Sequence, residues 1–298
     1  MDVSFFHIFK QGPVIASLIK TAIRSKPAEN QADEQKILSQ TVAPRSFQLV
    51  QDFITHVGGH IGTYKGILPP HMFPQWGFPI LAETLKEQPY DLKRILNAGS
   101  RLEINHLMNI NDPIHLTACL DSVDRSDKRI IFKQKLIVGS KIQPKSMICT
   151  VTSILPLKKD KKNNEFKNEK NNTIPKMIYR IPDHTREIDL WQLHARSGLE
   201  FSLLTGDFNP VHWIPIVAQL GGFRNVFLHG FSSMARAFES IVNHIFSGNL
   251  SSLKNVEVRF IKPIILPTNI RVFVDDQKNF FIGKAQGGPA YALGAYNQ

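Results

Sequence analysis

The sequence predicts an α+β protein in which one helix-plus-antiparallel-sheet unit occurs twice. Three observations carry this. An apolar stripe of Phe231, Met234, Ala235, Phe238, Ile241, Val242 and Ile245 recurs at helical spacing and marks a buried helix. Three short runs rich in β-branched and aromatic residues follow, at 256–260, 270–274 and 280–285, broken by Pro263, Pro267 and an Asp-Asp-Gln-Lys turn. They read as a meander of antiparallel strands. The earlier chain repeats the same order: an apolar segment at 78–85, then strand-like runs at 102–104, 114–120, 130–138 and 148–155. Glu103 and Glu257 stand at the same offset of 154 as Pro113 and Pro267, and His71 precedes His229 by 158. A sheet wrapped on a central helix buries one face of each, which is a two-layer architecture.

Taken in order, residues 1–40 form an N-terminal helix and a polar connector. Val14, Leu18, Ile19 and Ala22 fall on one helical face, with Lys20 and Arg24 off it. That helix is expected to pack on the body of the protein, contact with a membrane surface being the alternative. Asp2 stands where a secretory signal carries Lys or Arg, and Lys10 and Lys20 interrupt the apolar run, so a signal peptide is not expected. Residues 41–157 make the first unit, 158–176 a Lys/Asn-rich solvated linker with nothing to bury, and 177–298 the second unit. The long helix of the second unit starts at Ser232 and Ser233, and Gly248 suits a left-handed position just past its end.

Composition narrows the function classes. With 42% hydrophobic and 20% charged residues the chain can fill a core, which excludes wholesale disorder. No run of about 20 apolar residues exists to span a bilayer. Two cysteines, Cys119 and Cys149, cannot make a disulfide scaffold, so a reducing, cytoplasmic setting is expected. The net charge of +11 favours a polyanionic partner: nucleic acid, an anionic membrane, a phosphorylated cofactor or an acidic carrier protein. Nucleic acid is not expected, because no basic stretch interleaved with aromatics and no known module is present. The absence of Gly-x-Gly-x-x-Gly, Gly-x4-Gly-Lys, His-Glu-x-x-His and paired Cys-x-x-Cys leaves no mark of a nucleotide cofactor or a zinc site, so neither cofactor nor metal is expected.

Residues 204–231, LTGDFNPVHWIPIVAQLGGFRNVFLHGF, carry the chemistry. A turn-rich loop runs from Thr205 to Pro210 and ends in His212. Asp207 and His212, five apart on a loop stiffened by Pro210, can converge on one small volume. Asn209 can fix that loop through its own backbone. A short helical segment at 214–220 ends at Gly221 and Gly222. His229 and Gly230 then open the long helix, where the Gly230 N–H lies at the positive end and can polarise an acyl carbonyl. His229 reads as a group bonding nearby backbone.

The stretch Thr205-Gly206-Asp207-Phe208-Asn209-Pro210-Val211-His212, with Leu228-His229-Gly230-Phe231 behind it, resembles the hydratase-2 motif of MaoC-like dehydratases, the (R)-specific enoyl-CoA hydratases and related 3-hydroxyacyl-thioester dehydratases. The resemblance covers residues 201–237, and the strand pattern extends it to the C-terminus. The first unit resembles the family in architecture alone, as one degenerate half of a double hot-dog. The resemblance implies an antiparallel sheet wrapped around each central helix and a hydro-lyase acting on an enoyl thioester of CoA or acyl carrier protein, in fatty-acid metabolism. It assigns the water-holding dyad to Asp207 and His212, the oxyanion contact to Gly230, and substrate-facing positions to Asn209, His229, Phe231 and Trp213. Ile214 and Phe231 stand where the family commonly has Asp and Met. Asp52, His56 and His60 of the first unit have the wrong spacing for a second dyad. Its apolar residues Met72, Phe73, Trp76, Phe78, Ile80 and Leu81 suit either an acyl-tunnel wall or plain core. A homodimer is compatible with such a chain. The competing reading is a non-catalytic hot-dog scaffold or acyl-binding subunit, against which stands the intact set of Asp207, His212 and Gly230.

Overall fold

The computed structural model describes residues 3–12, 36–92, 95–157 and 178–298. The amphipathic stripe at 14–22 and the linker at 158–176 lie outside the described residues. The first half runs β1 (Leu38–Val42), α1 (Phe47–His56), α2 (Ile61–Tyr64), α3 (Pro74–Thr84), β2 (Leu96–Ile104), β3 (Ile114–Arg125), β4 (Arg129–Gly139) and β5 (Met147–Pro156). The second runs β6 (Arg186–Leu193), α4 (Ser197–Thr205), α5 (Pro215–Leu220), α6 (Gly230–His244), β7 (Asn255–Phe260), β8 (Thr268–Val274), β9 (Asn279–Gly283) and β10 (Ala290–Asn297). β1 begins ahead of the boundary placed at residue 41.

All ten strands form one antiparallel sheet in the order β1-β3-β4-β5-β2-β7-β10-β9-β8-β6. From either end inward the list names equivalent strands, so the halves share a topology and meet edge to edge at β2 and β7. There Arg101 lies opposite Glu257 and Glu103 opposite Asn255. Each half thus covers the open strand edge of the other. The matched prolines are equivalent: Pro113 immediately precedes β3 and Pro267 immediately precedes β8.

α6 forms because its apolar stripe has somewhere to go. Met234, Ala235, Phe238, Ile241 and Val242 are all buried against the sheet, each large side chain contributing about 1.5–3 kcal/mol. β5 alternates buried and half-exposed residues along its whole length, the signature of a strand with one face in the core. Cys119 and Cys149 sit on β3 and β5 as free thiols. One continuous core joins both halves. Among the described residues no helix is long and apolar enough to cross a membrane.

Two expectations need correction. The strands after α6 are not a simple meander: β8, β9 and β10 follow one another, but β7 pairs with β10 and β2 instead of β8. Pairing β7 with the first half satisfies two edges at once. Ser232 and Ser233 do not cap α6; they lie buried inside its first turn and His229 takes the cap position. Met72, Phe73, Trp76, Ile80 and Leu81 are buried in the core, one of the two readings their sequence allows.

Candidate active site

The site is built where α4 ends and α6 begins. α4 stops because Gly206 takes the left-handed conformation at φ 82°, which glycine adopts without a side-chain clash. The chain then folds back on itself through short polar bonds. Thr205 Oγ1 accepts from the Asp207 N–H at 3.4 Å, and Asp207 Oδ1 accepts from the Asn209 N–H at 3.4 Å. Asn209 Oδ1 in turn accepts from the Val211 N–H, capping the turn Pro210–His212. Asn209 is exposed and spends its side chain on the loop. Trp213 Nε1 donates to the Phe208 carbonyl at 3.3 Å and braces the same loop from the other end.

His212 is buried, and its Nδ1 lies 2.8 Å from the Phe227 carbonyl. A carbonyl only accepts, so Nδ1 carries the proton and Nε2 keeps its lone pair. Burial lowers the His212 pKa below the ordinary imidazole value, although Asp207 and the Phe227 bond pull it up. Burial likewise raises the Asp207 carboxyl above its ordinary value, with His212 and the Asn209 N–H opposing. The lowered His212 value leaves that imidazole neutral around pH 7, next to Asp207. Ligand atoms of Asp207, His212 and His229 all lie within 4.8 Å of one another. One water donating and accepting hydrogen bonds of about 2.8 Å spans such a gap. These are also the residues that would offer donors to a cation, although no metal-ligand motif marks them in the sequence.

His229 is 1% exposed, and its Nε2 donates to the Asp207 main-chain carbonyl at 3.0 Å. It ties the loop to the start of α6, as its backbone-bonding reading anticipates. Its remaining nitrogen, Nδ1, is buried without a partner, so the substrate-facing position expected for it is not an open one. Gly230 is the first residue of α6, where the N–H has no intrahelical acceptor. A side chain there would meet the Phe260 ring, 2.7 Å from an ideal Cβ, so the close approach that glycine permits is with Phe260. Phe231 packs between the two halves. It is buried in the core, edge-on to Phe73 at 5.5 Å and to Phe78 at 5.2 Å, and so joins the two halves.

Two contributors escaped the sequence reading. The backbone carbonyl of Phe227 sets the His212 tautomer, and no residue type signals that. Gly198, at the start of α4, lies so close to the His212 main-chain carbonyl that a Cβ would collide with it. Among the described residues the first half holds no equivalent group of three. His71, at the position equivalent to His229, is buried with its Nε2 3.2 Å from Glu239 of α6, and Tyr64 donates its hydroxyl to the same carboxylate. Asp52 pairs with His7 at 2.6 Å, and His56 lies 3.6 Å from Glu200, both structural contacts.

Residues 178–282 match the family described as MaoC like domain. The chain is 32% identical over 97 residues to a probable enoyl-CoA hydratase 2 of Dictyostelium discoideum, covering 33% of this chain and 31% of that protein. It is 32% identical over 74 residues to 3-hydroxyacyl-thioester dehydratase X of Mycobacterium tuberculosis, 25% of each. It is also 32% identical over 96 residues to the peroxisomal multifunctional enzyme type 2 of Drosophila melanogaster, 31% of this chain but 16% of that protein. These matches span less than a third of each relative. By structure, HtdX of Mycobacterium tuberculosis superposes with a TM-score of 0.68 at 14% identity, over 88% of this chain and 99% of that one. A second Mycobacterium tuberculosis protein, described as a double hotdog fold, superposes at 0.56 and 10% identity, over 91% and 98%. The matched segment carries the whole 207–230 constellation and the fold likeness extends across both halves: the second half of the chain contains a MaoC like domain, within a double hot-dog fold.

Proposed function

We propose that this protein adds water reversibly to trans-2-enoyl thioesters, giving (R)-3-hydroxyacyl thioesters of CoA or acyl carrier protein, as a hydro-lyase of fatty-acid metabolism. The observation that carries the reading is that ligand atoms of Asp207 and His212 lie within 4.8 Å of one another and of His229, the residue that caps α6 just ahead of Gly230. In the hydration direction the dyad holds the water. As its oxygen bonds to C3 of the enoyl group, its proton passes to the dyad and the C2–C3 π electrons move toward the thioester carbonyl. The Gly230 N–H stabilises the enolate oxygen, and the dyad returns the proton to C2, so one water is consumed and no other reactant is needed. The relative from Dictyostelium discoideum supports this by its description as an enoyl-CoA hydratase 2. The compartment is read as cytoplasmic, which two free thiols suit.

The test is the loss of conjugated-thioester absorbance on incubation with enoyl-CoA of several lengths. Asp207→Asn and His212→Ala are each expected to lower turnover by at least ~10²-fold, the usual range for lost acid–base catalysis. The double variant should be little worse than either single, because the two act on one water. His60→Ala in the first half should leave turnover nearly unchanged. Full activity in Asp207→Asn would place the chemistry elsewhere, and a wild-type chain that hydrates no enoyl thioester would favour the scaffold reading.

A further inference from the structure

The segment that opens the described chain is held to the body along one side and bare along the other. Phe5–Lys10 form a short 3-10 helix opened by Ser4, whose Oγ accepts from the Phe6 N–H. Val3, His7 and Gln11 recur every four residues, and all three are buried. His7 Nε2 lies 2.6 Å from the Asp52 carboxylate of α1, and the Gln11 amide donates to the Leu203 and Leu204 carbonyls of α4. Bonds to two helices thus fix how the segment sits. The residues between these anchors face outward. Phe5, Phe6, Ile8 and Phe9 are exposed, Phe6 at 77% and Phe9 at 81%. In a three-residue turn, positions i and i+3 stand one above the other. Phe6 and Phe9 accordingly share a side, with ring centroids 6.4 Å apart. Four large apolar side chains in five consecutive positions, on a segment that is itself pinned, mark a surface with an apolar partner.

Size and charge decide which partner. Exposed to this degree, Phe5, Phe6 and Phe9 offer roughly 300–550 Å² of apolar surface. That is less than the ~800 Å² each side contributes to a stable protein interface. A lipid surface sets no such threshold, because affinity there scales with the apolar area inserted plus the attraction to anionic headgroups. The charge agrees. Through residue 28 the sequence has Asp2 as its one acid against Lys10, Lys20, Arg24 and Lys26, in a chain of net charge +11. We propose that Phe5, Phe6 and Phe9 seat the protein on the surface of an anionic bilayer, the rings entering between the headgroups and the acyl chains. The protein lies on such a surface and does not cross it. The proposal goes beyond the enoyl-thioester reading and does not depend on it.

Flotation with lipid vesicles tests this. The wild-type chain should bind vesicles of mixed phosphatidylglycerol and phosphatidylcholine, and Phe6→Ser/Phe9→Ser should bind them at least ~10-fold more weakly. Both rings are exposed, so the double variant should keep the wild-type thermal midpoint and, in solution, the wild-type rate on a soluble enoyl thioester. Ile142→Ser removes an apolar side chain that is 90% exposed between β4 and β5, and should bind vesicles as the wild type does. Phosphatidylcholine alone should be bound more weakly. Added salt should weaken binding to the mixed vesicles, since the attraction to headgroups is screened. No binding to the mixed vesicles, or equal binding by wild type and Phe6→Ser/Phe9→Ser, overturns the proposal. So does self-association of the lipid-free wild type, followed by sedimentation velocity, that the same double variant abolishes, because the rings would then join two copies of the chain. Vesicle binding carried by the rings in a chain that hydrates no enoyl thioester leaves the surface assignment standing while the hydration reading falls.

Discussion

His212 lies face to face on His229, ring centroids 3.6 Å apart and planes 27° from parallel. Two imidazolium rings at that distance would repel in a site with little water, so the stack holds when both are neutral. Burial drives the His229 pKa well below the ordinary imidazole value, and the neighbouring His212 pushes it further down, against the bond to the Asp207 carbonyl. His229 is thus a flat, uncharged platform under the dyad.

This has a consequence for stability. A histidine whose folded pKa is depressed contributes stability that is present above its unfolded value near 6.5 and is lost as pH falls. His229 and His212 both shift that way. The denaturant midpoint should therefore drop between pH 7 and pH 5.5, each group adding a slope of up to about 1.4 kcal/mol per pH unit. His229→Gln should flatten the slope by one group. A midpoint that is constant over this range would show that these rings are not buried neutral.

Activity should follow pH with the same sign. The acid limb of kcat/KM is expected below 6.5, because burial keeps His212 neutral to lower pH than a free imidazole. Asp207 is the charge that holds the His212 value up, so Asp207→Asn should move the limb to still lower pH in its residual activity. An acid limb at or above 6.5, or one unmoved by Asp207→Asn, would separate the two residues.

Gly198→Ala puts a methyl group into the His212 main-chain carbonyl. The loop has to move, since backbone cannot yield as a side-chain tip does. Turnover should fall at least ~10-fold, with an overpacking cost of about 1–3 kcal/mol read from thermal unfolding. Full turnover in this variant would mean that the seat of His212 tolerates displacement.

Gln11 reaches the site from the far end of the chain. Fully buried, it donates to the Leu203 and Leu204 carbonyls at 3.0 and 3.1 Å, just ahead of Gly206 and Asp207, and its own carbonyl accepts from Gln75 at 3.0 Å. Gln11→Leu strands those carbonyls at a cost of about 1–3 kcal/mol. Because the stranded carbonyls lie in the last turn of α4, kcat should fall several-fold with KM little changed. Equal kcat in wild type and variant would restrict Gln11 to stability.

The residues from Thr205 to Phe231 were legible because their chemistry is local: the loop, the dyad and the cap of α6 fall within one short stretch, and their turn residues are specific. α6 was legible for the same reason, its stripe being a property of one helix. β6 and β10 were not. β10 reads AYALGAYN, almost free of β-branched residues, and is a strand because Phe281 and Arg259 lie on either side of Leu293. The packing of Phe231 and of the apolar residues around Trp76 depends on which half faces which. The bond of His229 to the Asp207 carbonyl, the Phe227 carbonyl on His212 and the burial of His71 against Glu239 also join residues without any shared period. Local sequence determined which groups the site contains; long-range packing decided their tautomers, their charge and which of the two halves stays open, because desolvation and hydrogen-bond partners exist only once the chain has closed on itself.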